Sequence, residues 1–255
     1  MDYLSGRRII ITGAGGAIGR TSCLTFAREG AKIAAVDIVD GTVRETVELV
    51  RAEGGEAVAL VADVADDAQV RSVVESAVLS LGGLDGLFAN AGIMPHQDRS
   101  VLDADSDVWD LIFNINLRGT ANFVKHVTPH LVSAGGGSVV TMSSFLALLG
   151  CSNPQDAYTA SKGAIAALTR ALAVQLGPQN IRVNALAPGP VTTPHVEKFF
   201  PDESARALRL ARFPLGRFGT TADVAELACF LSSDVASWIT GQVVAIDGGA
   251  SCNYV

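Results

Sequence analysis

Short apolar runs alternate with segments of helical spacing over almost the whole chain. The predicted strands are Arg7–Thr12, Lys32–Asp37, Ala57–Val61, Leu84–Ala89, Ser138–Met142, Ile181–Leu186 and Val243–Ile246. The predicted helices are Ile18–Glu29, Thr42–Glu53, Asp66–Leu81, Asp103–Leu117, Thr120–Val132, Tyr158–Leu176 and Thr221–Leu231, and Val196–Phe213 is predicted to be helical in pieces. This alternation is typical of parallel strands joined by crossover helices on both faces of a sheet. We therefore expect an α/β fold, with residues 1–255 forming a single doubly wound Rossmann-type domain of about seven parallel strands.

Composition excludes several other classes of protein. Hydrophobic residues make up 49% of the chain, which is enough for a large core, and the formal net charge of −7 argues against a general nucleic-acid binder. The apolar runs are too short to span a membrane. The four cysteines lie far apart without a CxxC pair, and the amino terminus does not resemble a targeting segment. These features favour reduced thiols and a cytoplasmic location.

A glycine-rich turn follows the first predicted strand. The sequence Thr12-Gly-Ala-Gly-Gly-Ala-Ile-Gly19 lets the backbone approach a pyrophosphate closely, and the helix after it offers N–H donors. The alternative is an ordinary strand-to-helix turn. Asp37, at the end of the second strand, stands where a carboxylate binds the adenosine ribose hydroxyls, which favours a dinucleotide site. Asp37 would repel a 2′-phosphate and no arginine follows it directly, so we expect NAD rather than NADP.

Tyr158 and Lys162 lie four residues apart at the start of a long helical segment. Residues at this spacing share one face of a helix. A nearby ammonium favours the phenolate and would lower the pKa of Tyr158, which makes the pair a candidate general acid and base. The alternative is a solvated surface pair, because this spacing is common by chance.

The order of these motifs resembles the short-chain dehydrogenase/reductase family. Further stretches match it: Asp63-Val64, Asn90-Ala91-Gly92, Asn116-Leu117-Arg118-Gly119, Ser143-Ser144, Pro188-Gly189 with Thr193, Ile239-Thr240-Gly241-Gln242 and Asp247-Gly248-Gly249. The resemblance covers nearly the whole chain. Ala89 departs from it, since the family often has a second asparagine there. Ser144 also lies fourteen residues before Tyr158, one more than is usual, so Ser143 remains the fallback for the catalytic serine.

The resemblance implies reversible hydride transfer between NAD and a secondary alcohol or ketone, an oxidoreductase acting on CH–OH groups. Tyr158 would exchange the proton, Lys162 would lower its pKa and bind the nicotinamide ribose, and Ser144 would hold the substrate oxygen. Asn116 would hold a water that links Lys162 to solvent. The residues expected to bind NAD(H) are Gly13, Gly16, Ala17, Ile18, Gly19, Asp37, Ile38, Asp63, Val64, Asn90, Ala91, Gly92, Tyr158, Lys162, Pro188, Gly189, Val191 and Thr193.

The substrate pocket is expected to use three loops, 93–99, 146–156 and a lid over about 190–213. Candidate substrate-binding residues are Ser144, Leu146, Tyr158, His96 and Phe199. Apolar residues of the lid, Phe199, Phe200, Leu208, Leu210 and Phe213, favour a small, fairly apolar or ring-containing substrate. Sugars, polyols and acyl thioesters remain open.

Parts of the sequence are also compatible with other sites and functions. His126 and His130 have the spacing of a zinc-binding pair, but Pro129 lies between them and no third ligand is evident, so no metal is expected. A non-catalytic NAD-binding regulatory protein and a 3-oxoacyl thioester reductase are the alternative functions. An extended epimerase would be longer, and an enoyl reductase would space its Tyr and Lys more widely. Apolar residues around more than one stripe of Gly163–Leu176 predict a partner subunit, and the family resemblance favours a homotetramer.

Overall fold

Seven parallel strands form one sheet in the computed structural model, which describes residues 2–193 and 202–253. The strands are β1 (Arg8–Thr12), β2 (Lys32–Asp37), β3 (Glu56–Val61), β4 (Gly86–Ala89), β5 (Gly137–Met142), β6 (Ile181–Pro188) and β7 (Val243–Ile246). Their order is β3-β2-β1-β4-β5-β6-β7, and every neighbouring pair is parallel. The predicted fold class is confirmed.

Helices cover both faces of the sheet. They are α1 (Ala17–Arg28), α2 (Asp40–Ala52), α3 (Asp67–Leu81), α4 (Ser106–Ile112), α5 (Gly119–Ser133), α6 (Asp156–Leu176), α7 (Glu203–Leu210) and α8 (Thr221–Ser232). In the described ranges, none of them has the length and hydrophobicity needed to cross a membrane.

Alternation along the strands divides the core into two layers. Ile9 and Ile11 of β1 face one cluster, which includes buried residues of α1, α2 and α8. Ile10, between them, faces the other cluster, with buried residues of α3, α5 and α6. Successive side chains of a strand point to opposite faces, so a continuous apolar run is what a strand covered on both sides requires.

The strand order reverses direction at β1, which pairs with β2 on one side and β4 on the other. At the amino ends of these strands, Arg8 joins β1 to the residue before β4: its Nε lies 2.7 Å from Asp85 Oδ2 and its Nη2 lies 2.8 Å from Asp85 Oδ1. At the carboxyl ends, the connections leave in opposite directions. In this architecture, the crevice at that point is where ligands bind.

The helical segments differ from the prediction between β4 and β5. Two separate helices were expected at 103–117 and 120–132, but α4 and α5 are joined without a break by a π-helical turn over Phe113–Arg118. A π-helical turn inserts an extra residue into the helical repeat, which hydrophobic spacing alone does not reveal. In the lid, α7 is helical as expected, and residues 194–201 lie outside the described residues.

Candidate active site

A cleft of about 950 Å³ opens at the carboxyl ends of the strands, beside the reversal point. It brings together most of the residues predicted to bind cofactor or substrate. Those that line it are Gly13, Gly16, Ala17, Ile18, Gly19, Asp37, Asn90, Ala91, Gly92, Ser144, Leu146, Tyr158, Lys162, Pro188, Gly189, Val191 and Thr193. Residues spread over the first three quarters of the chain therefore meet in one place.

Glycines shape the turn between β1 and α1. Gly13 has a φ of +65°, which L side chains rarely adopt. A Cβ on Gly19 would lie 2.0 Å from the carbonyl oxygen of Gly13, so the start of α1 packs directly against the turn backbone. Asn90 ties the turn to β4 by donating from Nδ2 to the Thr12 carbonyl at 2.9 Å. Any side chain at Gly19 would force this packing apart.

The amino terminus of α1 is suited to an anion. Its N-cap residue is Gly16, which makes no side-chain capping bond, and the first turn contains no acidic residue. The first N–H groups of a helix have no intrahelical acceptor and carry the positive end of the helix dipole. This open terminus, behind the close-packed glycine turn, fits the pyrophosphate of a dinucleotide.

Asp37 lies at the far side of the same turn. Its Oδ2 accepts from the Gly15 N–H at 2.9 Å and its Oδ1 accepts from the Val39 N–H at 3.1 Å. These bonds hold the carboxylate at the rim of the cleft. Ile38 beside it is 62% exposed. A fixed carboxylate next to an exposed apolar side chain suits a ribose with its adenine better than a second phosphate.

Two adjacent serines end β5, and they have different partners. Ser143 is buried and donates from Oγ to the Lys162 carbonyl at 2.8 Å, which fastens β5 to α6. Ser144 accepts from the Leu146 N–H at 3.2 Å and hydrogen-bonds the phenol of Tyr158. Ser144 is therefore the serine whose hydroxyl meets the tyrosine.

The pKa of Tyr158 is raised, because burial disfavours the phenolate, and the hydrogen bond from Ser144 opposes this only in part. The direction is opposite to the expectation that Lys162 would lower this pKa. The Lys162 ammonium lies 5.5 Å from the centre of the Tyr158 ring. Its Nζ donates to the Met142 carbonyl at 2.8 Å. The ammonium therefore hydrogen-bonds a backbone carbonyl and interacts with the tyrosine ring only at the longer distance.

Lys162 is 3% exposed, and burial lowers its pKa to about 8 from the ordinary 10.5. At neutral pH it still carries a proton. Gly92 leaves room for it, since an added Cβ there would lie 3.2 Å from Lys162 Nζ and 3.2 Å from Asn116 Oδ1. The site therefore holds a cation at close quarters with little solvent around it.

Asn116 lies in the π-helical turn and is 1% exposed. Its Oδ1 accepts from the Ile93 N–H at 2.8 Å, while its Nδ2 donates to the Ile93 carbonyl at 3.0 Å and to Ser161 Oγ at 3.1 Å. The side-chain amide therefore holds the loop after β4 and also binds α6. Its predicted role in holding a water beside Lys162 stays a prediction.

Several predicted residues do not belong to the described cleft lining. Ile38, Asp63, Val64 and His96 are not among the residues that line the cleft. Phe199 and Phe200 lie outside the described residues. Of the apolar lid residues, Leu208 is 75% exposed, and Phe213 is buried edge-to-face on Phe218.

His126 of the predicted pair contacts a carboxylate. His126 Nε2 lies 2.9 Å from Asp67 Oδ1. Among the described residues, no group of three or more His, Cys, Asp or Glu side chains is placed to hold a metal ion.

Two residues in or beside the cleft were missed by sequence reasoning. Arg209 of α7 lines it and is the one charged residue among the described lining residues besides Asp37 and Lys162. Asp98 lies behind the cleft and accepts hydrogen bonds from the first turn of α6. Neither belongs to a motif, and only their position within the predicted pocket segments 93–99 and 190–213 could have drawn attention to them.

A family model described as enoyl-(acyl carrier protein) reductase matches residues 13–251. The chain is 40% identical over 247 residues to 3-oxoacyl-(acyl-carrier-protein) reductase FabG of Thermotoga maritima, covering 96% of this chain and 98% of that protein. It is 36% identical over 243 residues to cis-4-hydroxycyclohexanecarboxylate dehydrogenase of Sinomonas cyclohexanicum, covering 95% and 96%. A solved structure of a putative short-chain alcohol dehydrogenase of Sinorhizobium meliloti superposes with a TM-score of 0.94 at 36% identity, covering 99% of both chains.

The chain belongs to the short-chain dehydrogenase/reductase family. These matches run over nearly the whole length of both partners, so the family covers the entire domain and not the glycine turn alone. Members of this family use nicotinamide cofactors, and the open helix terminus behind Gly13 is consistent with that chemistry.

Replacing Gly19 with alanine is expected to weaken cofactor binding by about 10-fold or more, a loss of about 1.4 kcal/mol. The new Cβ would meet the Gly13 carbonyl at 2.0 Å and push the turn away from the helix. A fluorescence titration with NADH gives the dissociation constant of each variant. Gly41→Ala is the matched control, because nothing lies within 4 Å of a Cβ at that position. Equal dissociation constants for the two variants would contradict the assignment of this turn.

Replacing Lys162 with methionine is expected to stabilise the chain at pH 7 while removing activity. Because the folded pKa of about 8 lies below the ordinary 10.5, the unfolded chain binds more protons between these values. Stability of the parent therefore rises as the pH increases through this window, by about 3 kcal/mol at most. Loss of the hydrogen bond to the Met142 carbonyl would offset about 1 kcal/mol of the gain in the variant.

Melting temperatures at pH 7 and pH 10, without added cofactor, test this. We expect the advantage of Lys162→Met to be a few degrees at pH 7 and to shrink by pH 10. The same substitution at the exposed Lys125 is the control and should show no such decline. An advantage that does not change with pH would show that the burial of the ammonium is not what limits stability here.

Proposed function

We propose that the protein is an NAD-dependent oxidoreductase that interconverts a secondary alcohol and a ketone. The observation that carries this proposal is that Ser144, Tyr158 and Lys162 line the same cleft as the glycine turn, with the Lys162 ammonium 5.5 Å from the centre of the tyrosine ring. A sensor protein would need the turn but not this polar set. The non-catalytic alternative is therefore the weaker one.

The roles of the side chains follow from their chemistry. NAD, when bound, supplies the hydride acceptor or donor of the reaction. In ketone reduction Tyr158 gives its phenolic proton to the substrate oxygen, and in alcohol oxidation the phenolate takes a proton back. Ser144 donates a hydrogen bond to the same oxygen and orients it. Lys162 stabilises the phenolate that forms, which compensates for the burial that raises the pKa of Tyr158.

NAD is proposed over NADP. The Asp37 carboxylate is held at the cleft rim by the Gly15 and Val39 N–H groups, and a 2′-phosphate placed beside it would be repelled. Ile38 and Val39 are both more than half exposed and offer no positive charge to a phosphate.

Replacing Tyr158 with phenylalanine is expected to lower turnover by about 100-fold or more, since the proton donor is lost. Absorbance of the reduced cofactor would be followed with a panel of secondary alcohols, ketones and 3-oxoacyl thioesters, offering NAD and NADP forms side by side. Tyr3→Phe, at an exposed position, is the control and should leave turnover unchanged. Cofactor binding without turnover across the panel would favour the regulatory alternative, and preference for NADP would contradict the role of Asp37.

The substrate end of the cleft supports a compact substrate with both apolar and acidic character. Its described walls include Ile93, Met94, Pro95, Phe145 and Leu146. Arg209 is half-buried among these lining residues, and no ion pair or side-chain hydrogen bond engages its guanidinium within the described chain. A guanidinium has five N–H donors that match a carboxylate. The Sinomonas cyclohexanicum relative is a dehydrogenase of a hydroxycyclohexanecarboxylate, which combines a ring, an alcohol and a carboxylate.

Replacing Arg209 with glutamine should lower kcat/KM by at least about 10-fold for an acidic cyclic ketone such as 4-oxocyclohexanecarboxylate, because a charge-assisted hydrogen bond is lost. The methyl ester of the same ketone should be affected less than about 2-fold. Arg206→Gln is the control on the same helix, since Arg206 lies over the Phe218 ring at 5.3 Å. Equal losses for acid and ester would remove the proposed role, and a loss of NADH affinity would instead assign Arg209 to the cofactor phosphates.

A 3-oxoacyl thioester reductase is the second candidate. The 40% identity to the Thermotoga maritima reductase over 96% of this chain favours it. The thioesters in the substrate panel separate the two candidates directly.

We also propose that the protein is a homotetramer and is located in the cytoplasm. The outer face of α6 exposes Ala167, Ala171 and Val174, an apolar row of the kind that a partner subunit covers. All four cysteines are free, as is usual for a protein in a reducing compartment.

A further inference from the structure

Asp98 is a buried carboxylate in the loop between β4 and α4, with 5% of its surface exposed. Its Oδ1 accepts from the Ala157 N–H at 3.1 Å, and its Oδ2 accepts from the Tyr158 N–H at 2.8 Å. One side chain therefore binds the backbone of the tyrosine itself. Burying a carboxylate is costly unless it is hydrogen-bonded, and these two N–H groups offset that cost for Asp98.

The two N–H groups belong to the first turn of α6, where no intrahelical acceptor exists. The local N-cap residue, Gln155, makes no side-chain capping bond. Asp98 supplies the cap from 60 residues away along the chain and also places a negative charge at the positive end of the helix dipole. The start of the helix that carries Tyr158 is thus held by another loop and not by its own sequence.

The contact is reciprocal. Asp156, the first residue of α6, accepts from the Val101 N–H through Oδ2 at 2.8 Å, and its own N–H donates to the Arg99 carbonyl at 3.3 Å. The segment 98–101 and the first turn of α6 are therefore joined by four hydrogen bonds, three of which end on a carboxylate.

The same loop is fastened at its other end. Asn116 exchanges two hydrogen bonds with the backbone of Ile93, at 2.8 and 3.0 Å. Between these two anchors, Ile93, Met94 and Pro95 line the cleft. A wall of the substrate pocket and the backbone of Tyr158 are in this way connected through Asp98.

We propose that Asp98 is a positioning residue, which sets the place of the Tyr158 phenol relative to the pocket wall at 93–95. The inference rests on the proposed function of Tyr158 as the proton donor. It goes beyond that function, because Asp98 binds the backbone of Tyr158 and not its phenol, and does not itself line the cleft. A misplacement of about 1 Å in a reacting group can lower the rate by about 100-fold, so a backbone anchor of this kind acts on turnover more than on binding.

The test compares Asp98→Ala and Asp98→Asn with Asp66→Ala. Asp66 is the N-cap of α3, at a helix away from Tyr158, and its Oδ1 accepts from the Ala68 and Gln69 N–H groups at 2.9 and 3.1 Å. Each alanine variant should lower the melting temperature by a few degrees. Only the Asp98 variants should lose kcat, by at least about 10-fold for alanine and less for asparagine, whose carbonyl oxygen still accepts one bond. The dissociation constant of NADH should stay within about 2-fold of the parent value.

Hydrogen–deuterium exchange of the peptide that covers residues 156–162 gives a readout independent of activity. We expect faster exchange in Asp98→Ala and parent-like exchange in Asp66→Ala, because only the first opens the N-terminal turn of α6. An unchanged kcat in a folded Asp98→Ala, or an equal loss of kcat in Asp66→Ala, would overturn the proposal. If the parent turns over no substrate, the proposed function fails, and unchanged exchange at 156–162 would still overturn the role of Asp98 separately.

Discussion

The parallel pairing of β1 with both β2 and β4 is the constraint on which the site depends. Each parallel strand needs a crossover to reach its neighbour, and on the two sides of β1 these crossovers leave in opposite directions. The backbone between the carboxyl ends of β1 and β4 is left uncovered there. The glycine turn, the Asn90 anchor and the loop that carries Asp98 all border this gap. The strand order therefore sets the position of the cleft, and the side chains determine its lining.

Lys162 shows how stability and chemistry compete inside this gap. Burial favours the neutral amine and lowers the pKa of Lys162 to about 8, but at neutral pH the amine still carries its proton. Among the described residues, the hydrogen-bond partner of the amine is one backbone carbonyl, that of Met142. The free-energy cost of burying this charge is offset by the large apolar core on both faces of the sheet.

The fold and the centre of the site could be predicted because both depend on local patterns. Apolar runs between helical segments predicted all seven strands, and glycine spacing with Asp37 and Tyr158–Lys162 predicted residues that meet in one cleft. The π-helical turn, the direction of the Tyr158 pKa and the capping of α6 by Asp98 depend on packing between distant segments. The opposite exposure of Leu208 and Phe213 also could not be predicted, because hydrophobicity does not reveal which face of a helix or loop turns inward.

The long-range cap on α6 has a consequence for how the chain acquires its activity. Asp98 is synthesised well before Tyr158, and the last described cleft residue before the lid helix, Thr193, follows later still. A nascent chain can pair β1 with β2 and β4 while its catalytic helix has not yet left the ribosome. Non-local contacts of this kind also make folding slow. A folded amino-terminal half of the sheet would therefore contain Asp98 but still lack the helix that places Tyr158 in the cleft.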